Sequence, residues 1–201
     1  MLNLAHVQVT EGANGPGRRF TVWVQGCARG CNGCFNPDLQ PRAPRRRVSP
    51  EALAAELRRC GPVEGVSLSG GEPFDQAGGL ADFLGLLRAG GPLDDFTALA
   101  FTGYCVEELR EGDPDRRRLL GHLDLLVDGP YVEQASTVLP LRGSTNQRLV
   151  PLTPAGEDLV RRIEAEPPAA CAAVIAEDGG VILTGFPPAS AVRALRTALG
   201  D

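Results

Sequence analysis

The sequence predicts an α/β fold: a mainly parallel sheet that curls into part of a TIM-like βα barrel, followed by a small C-terminal α+β extension. Short β-branched and aromatic runs alternate with segments of helical periodicity over residues 1–150, the pattern of βαβ units. Polar, glycine-rich motifs follow several of the strand candidates, at the ends where α/β sheets gather ligands. Over residues 151–201 the texture changes to helix, hairpin and helix. Two units are expected from this, 1–150 as a core and 151–201 as an appended piece or sheet edge.

Each element has its own warrant. Residues 4–9 (LAHVQV) and 20–24 (FTVWV) have strand character, and the link between them carries Gly and Pro turn signals. In 48–59 (VSPEALAAELRR), Ser49 is placed to cap a helix with Pro50 at its first position. GVSLSGGEP (65–73) is a short apolar strand running into a glycine turn, and 79–89 (GLADFLGLLRA) has helical spacing. FTALAFTGY (96–104) is a strand ending in a turn, and 105–123 is helical at both ends and broken near Pro114. LDLLVDGPY (123–131) is a strand that stops at Gly129 and Pro130. Beyond it, 152–166 is a helix, 167–188 a hairpin turning at Asp178-Gly179-Gly180, and 189–201 a last helix with Ser190 near its start.

Composition narrows the function classes. A chain of 201 residues can bury a substantial core in one domain. Its net charge of -5 argues against a nucleic-acid partner, which needs a basic face. All 20 basic residues are Arg, a bias that fits GC-rich coding rather than a functional device. No signal peptide and no apolar stretch of bilayer-spanning length is visible, so no membrane role is expected and a cytoplasmic location is the default. Thiols stay reduced there, so the clustered cysteines are better read as metal ligands or redox groups than as disulfides.

Half of those cysteines crowd into VQGCARGCNGCFNP (24–37), at Cys27, Cys31 and Cys34. A structural zinc site takes four protein ligands. No Cys or His follows within 25 residues, and Cys60, Cys105, Cys171, His6 and His122 are scattered singly. A distant residue could complete a zinc tetrahedron. The alternative is a [4Fe-4S] cube held by three thiolates, with one iron left open for a ligand. Glycines at 26, 30 and 33 suit a loop wrapped closely round a bulky group. The second motif is Gly70-Gly71-Glu72-Pro73, which offers exposed backbone groups and a carboxylate suited to an amino-acid ammonium. Alone it is an ordinary turn; after a C-x3-C-x2-C loop it is informative.

Together these motifs resemble the radical S-adenosylmethionine (SAM) enzymes. The resemblance implies that Cys27, Cys31 and Cys34 hold a [4Fe-4S] cluster whose fourth iron takes the amine and carboxylate of SAM. It implies further that Gly70, Gly71, Glu72 and Pro73 line the methionyl amine and that Phe35 lies near the adenine. Across most of the first 150 residues, NGPGRRFTVWVQGC, GCNGCFNP, LSGGEP, FTGY, LLVDGPYVEQ and LRGSTNQR occur in the order seen in anaerobic ribonucleotide reductase-activating enzymes, small glycyl-radical activases with an incomplete barrel. Thr102, Tyr104, Asp128, Arg142, Asn146 and Gln147 are further candidates near SAM or the target. Cys60, Cys105 and Cys171 are expected to be buried small hydrophobes, and Arg45, Arg46 and Arg47 a solvated face. The implied partners are a glycyl-radical enzyme and an electron donor such as flavodoxin or ferredoxin. An enzyme acting directly on a peptide or small molecule is the alternative, and a non-enzymatic zinc or electron-transfer module the third reading. Three departures mark this chain: Gly33 precedes the third cysteine where many members have an aromatic, Pro130 follows LVDG, and the segment after 150 is long.

Overall fold

The computed structural model describes residues 1–90, 96–167, 171–175, 181–187, 194 and 197–198. The turn expected at 178–180 lies outside the described residues, as does nearly all of the last expected helix, Ser190 included.

β1 (Leu2–Gly12) and β2 (Gly15–Val24) form an antiparallel hairpin. Both strands run further than their apolar cores suggest, because pairing continues through polar partners such as Thr10 with Arg19 and Glu11 with Arg18. β2, β4 (Gly65–Gly70), β5 (Thr97–Phe101) and β6 (Leu125–Asp128) lie side by side and parallel. Two strands absent from the sequence reading flank them, both antiparallel: β3 (Arg46–Val48) on β1 and β7 (Arg148–Pro151) on β6. Neither has a legible strand pattern. One is built on an arginine run and the other is a four-residue stretch whose partner, not its composition, makes it a strand. The sheet order is β3-β1-β2-β4-β5-β6-β7, and its two ends do not pair with one another among the described residues.

Strand periodicity sorts the side chains onto two faces. Phe20, Val22 and Val24 of β2, Val66 and Leu68 of β4, Ala98 and Ala100 of β5, and Leu126 of β6 join one apolar cluster. Four helices cover that face: α1 (Pro50–Arg59), α2 (Ala77–Ala89), α3 (Val106–Glu111) and α4 (Pro114–Leu120). Ser49 caps α1 as expected, its hydroxyl accepting from the Ala52 amide at 3.2 Å. Leu99, Leu125 and Val127 point the other way and meet Leu159 and Ile163 of α5 (Pro154–Ala165). Residue 150 therefore falls within β7, and the helix that follows completes the second face of the same sheet. β8 (Cys171–Ile175) and β9 (Val181–Gly185) form the expected antiparallel hairpin. No helix among the described residues is long and apolar enough to cross a membrane.

The second face is filled at one end by a buried cation. Arg19 is wholly buried and donates to the Ser67 hydroxyl (2.6 Å), the Val66 carbonyl (2.7 Å), and both the carbonyl and hydroxyl of Thr97 (3.0 Å each). These partners lie on β4 and β5, so one guanidinium ties β2 to both strands. Burial pulls its pKa down to about 10, and it stays charged at neutral pH. Arg19→Leu would remove these four hydrogen bonds from a buried site, and urea unfolding is expected to register a loss of about 3 kcal/mol or more.

Candidate functional site

The site forms where the parallel strands end. The chain leaves β2 at Val24 and enters the cysteine loop, whose base is closed by backbone bonds from Gly26 N to Leu39 O (2.8 Å) and Cys27 N to Gln40 O (3.0 Å). Gln25, nearly buried, donates from Nε2 to the carbonyls of Asp38 (3.3 Å) and Pro41 (2.6 Å). A short 3-10 turn, Pro37–Leu39, returns the loop to its start.

The Gly70-Gly71 pair fixes this loop to the sheet. Gly71 N donates to Val24 O (2.8 Å) and Glu72 N to Gly26 O (2.9 Å). A Cβ on Gly71 would stand 2.2 Å from Gly26 O; one on Gly70, whose φ is +103°, would meet the Val24 backbone at 2.5 Å. Two backbones touch here, and only glycine leaves room.

All six cysteines are free, and Cys27, Cys31 and Cys34 are each partly exposed. Arg29 N donates to Cys27 Sγ and Asn36 N to Cys34 Sγ, both at 3.4 Å. Burial pushes the Cys27 thiol up, with the Arg29 bond opposing. A tetrahedral zinc with bonds of about 2.3 Å needs its sulfurs about 3.8 Å apart. Among the described residues, the three thiols do not form a group whose ligand atoms lie within 4.8 Å of one another. Three free, partly exposed thiols on one loop, two of them already accepting backbone N–H bonds, are a donor set suited to an iron–sulfur cluster.

One cleft brings most of the expected residues together: Cys27, Cys31, Cys34, Phe35, Gly70, Gly71, Glu72 and Thr102 all line it. Glu72 is 1% exposed, and its carboxylate is already engaged. Oε1 accepts from Phe74 N (3.0 Å) and from the Thr102 hydroxyl (2.8 Å), and Oε2 accepts from Gly103 N (2.8 Å). It therefore clasps the end of β4 to the end of β5. Burial raises its pKa to about 7 against those three donors.

Three expected cofactor residues stand apart from the cleft. Pro73 is buried at the start of a 3-10 turn, Pro73–Gln76. Asp128 is wholly buried, pairing with Arg148 (2.5 Å) and accepting from Val106 N (2.8 Å), so its carboxylate joins α3 to β7. Asn146 is exposed and donates to Pro130 O at 2.7 Å. Its neighbour Gln147 reaches the cleft, accepting from Gly143 N (2.7 Å) and donating to Gly129 O (2.9 Å). The Arg142 side chain turns back to Pro140 O. Tyr104 does not line the cleft; its ring lies between Arg29 (4.5 Å) and Arg116 (4.3 Å). Cys60, Cys105 and Cys171 are half-buried rather than buried. The sulfur of Cys105 does approach Glu107 and Asp128, but Arg148 already pairs with both carboxylates.

Several site residues carry no motif. Asp75 accepts from Ala28 N (3.1 Å) and from the Tyr104 hydroxyl (3.2 Å), bracing the stretch between the first two cysteines. Trp23, Phe101 and Tyr131 line the cleft, as do Thr184 to Phe186 of the C-terminal hairpin. For Trp23 the signal was its period-two place beside Arg19 and Thr21; for the hairpin there was none.

Gly71→Ala is expected to displace the loop base, so that anaerobic reconstitution with iron and sulfide incorporates clearly less iron per chain than the parent does. Since the Glu72 pKa is raised on folding, the apo protein binds the extra proton between about 4.5 and about 7. Its stability from this group therefore falls as pH rises through that window, and Glu72→Gln flattens the decline in urea titrations at a series of pH values.

A family model described as a 4Fe-4S single cluster domain matches residues 13–150. An anaerobic ribonucleoside-triphosphate reductase-activating protein from Vibrio cholerae is 36% identical over 139 residues, covering 67% of this chain and 88% of the relative. A protein of the same name from Haemophilus influenzae is 30% identical over 157 residues, covering 73% and 96%. One from Enterobacteria phage T4 is 27% identical over 153 residues, covering 74% and 93%. Among solved structures, QueE from Escherichia coli aligns at a TM-score of 0.39 and 22% identity over 51% of this chain and 52% of its own, too loose a match to bear on fold or function. With the cysteine loop, the glycine pair and every strand of the parallel row inside the matched region, the chain belongs to the 4Fe-4S single cluster family, on the radical SAM branch of the anaerobic ribonucleotide reductase-activating proteins.

Proposed function

We propose that the chain is a glycyl-radical activase, which cleaves SAM reductively at a [4Fe-4S] cluster and places a radical on a glycine of an anaerobic ribonucleotide reductase. The observation that carries this reading is the shared cleft: three thiols stand beside the Gly70-Gly71 turn with no fourth protein thiol among the described residues that line it.

In this reading Cys27, Cys31 and Cys34 would hold the cluster and leave one coordination position for SAM. The chemistry the bound group supplies is one-electron cleavage of the sulfonium C5'–S bond, giving methionine and a 5'-deoxyadenosyl radical that takes the target hydrogen. The chain's own part is placement and exclusion of water. Gly70 and Gly71 let backbone approach the methionyl end, Glu72 and Thr102 fix the wall between β4 and β5, and Phe35 faces the nucleoside. Pro73, Asp128 and Asn146 act one step back, holding the turns that carry those groups. The open sheet with its helices serves as an incomplete barrel over residues 1–150, and 151–201 is the appended unit. A flavodoxin- or ferredoxin-like carrier supplies the electron, in a reducing cytoplasm that keeps the thiols free.

Reconstituted, reduced protein is expected to release 5'-deoxyadenosine from SAM, while Cys27→Ala, Cys31→Ala and Cys34→Ala fall to background. Mixed with its reductase, the parent should give the electron paramagnetic resonance doublet of a glycyl radical. Parent activity no higher than that of Cys27→Ala, or material that purifies with a single zinc, overturns the reading. SAM cleavage with the modification found on a peptide or small molecule moves the assignment to direct substrate chemistry.

A further inference from the structure

The C-terminal hairpin lies beyond the region matched by the family, yet it forms part of the cleft. Thr184, Gly185 and Phe186 share its lining with the three thiols and Gly70. The contact is built rather than incidental. Asn14, in the β1–β2 turn, donates from Nδ2 to Thr184 Oγ1 at 2.8 Å, and the Thr184 hydroxyl donates back to Asn14 Oδ1 at 2.9 Å. Both residues are 3% exposed, so each bond is made away from water, where an unpaired partner would be costly.

This pin positions an aromatic ring. Phe186 meets Phe35 edge-on, with centroids 5.1 Å apart and planes at 84°, and lies 6.2 Å from Phe101. Phe35 in turn meets Tyr131 at 5.0 Å. Behind them Gly143 has no space for a side chain: a Cβ there would stand 3.0 Å from both the Phe186 and Phe35 rings. Cysteine loop, β5, the segment after β6 and the hairpin thus each contribute one ring. The cleft accordingly offers two chemistries, thiols beside the Gly70-Gly71 turn for an amino-acid end and an aromatic wall for a flat heterocycle.

The geometry points to Phe186 as a cofactor-binding residue supplied by the extension: its ring, held by the Thr184–Asn14 pair, is one wall of the slot that takes the purine of SAM. This rests on the proposed function and adds to it a residue outside the family's matched region.

The test uses cluster-loaded protein under anaerobic conditions, with SAM and free methionine titrated separately. Stacking on an aromatic side chain accounts for about ten- to a hundredfold in affinity per base when it is removed. Phe186→Ala is therefore expected to weaken SAM binding by about that factor, with iron content and methionine affinity unchanged. Phe186→Tyr should bind SAM close to the parent, and Thr184→Val should weaken SAM in the same direction by less. Unchanged or tighter SAM binding by Phe186→Ala overturns the inference, the second outcome marking the hairpin as a plug. Equal loss of SAM and methionine overturns it too, by showing general collapse of the site. A parent that binds neither ligand overturns the proposed function, and this inference with it.

Discussion

Two hydrogen bonds between main chains, Gly71 N to Val24 O and Glu72 N to Gly26 O, hold the cysteine loop against the end of the parallel sheet. The positions of Cys27, Cys31 and Cys34 depend on that contact, because it ties the base of their loop to the sheet. Backbone bonds at this distance tolerate no side chain on Gly71, so the glycine pair fixes the spacing between the two motifs as much as it opens room for a ligand. The loop is then braced on its far side by Asp75 and by the Tyr104 ring between two guanidiniums. A cluster held by three donors has fewer protein bonds to define its place than one held by four, so the surrounding polypeptide must supply the rigidity.

Two buried charged groups serve the sheet in different ways. Arg19 crosses three strands at the end of the sheet where β4 and β5 begin, solvated entirely by carbonyls and hydroxyls. Glu72 crosses two strands at the end that carries the site, solvated by amides and the Thr102 hydroxyl. Each replaces water with fixed dipoles, and each is shifted toward its neutral form by burial. The Glu72 carboxylate is thereby already occupied by three donors and serves as a clasp between β4 and β5.

The C-terminal segment joins the core through both its helix and its hairpin. Its helix α5 docks so closely that a Cβ on Gly156 would fall on the Asp124 carbonyl, while Thr153 donates to the Asp124 carboxylate at 2.8 Å. Its hairpin reaches back to the β1–β2 turn and the cleft. A unit beyond the shared family region therefore covers the second face of the shared sheet and lines the shared site.

The order of the parallel strands and their helices, the cap on α1, the break at Pro114 and the crowding of three thiols into one loop were legible in the chain, because each is set by local chemistry: β-branched runs, a Ser-Pro start, a missing N–H, a fixed spacing of cysteines. The glycine pair was legible as a motif, though its steric partner was not. β3 and β7 were invisible because each becomes a strand only beside its neighbour. Asp128 and Asn146 gave the same polar signal as Thr102 and Gln147, and only packing decided which pair faces the cleft. Phe186 had no signal at all, since its part in the site depends on a hydrogen bond spanning 170 positions of sequence. Local sequence determined which groups could hold a cluster; the crossing of distant backbones decided which walls enclose it.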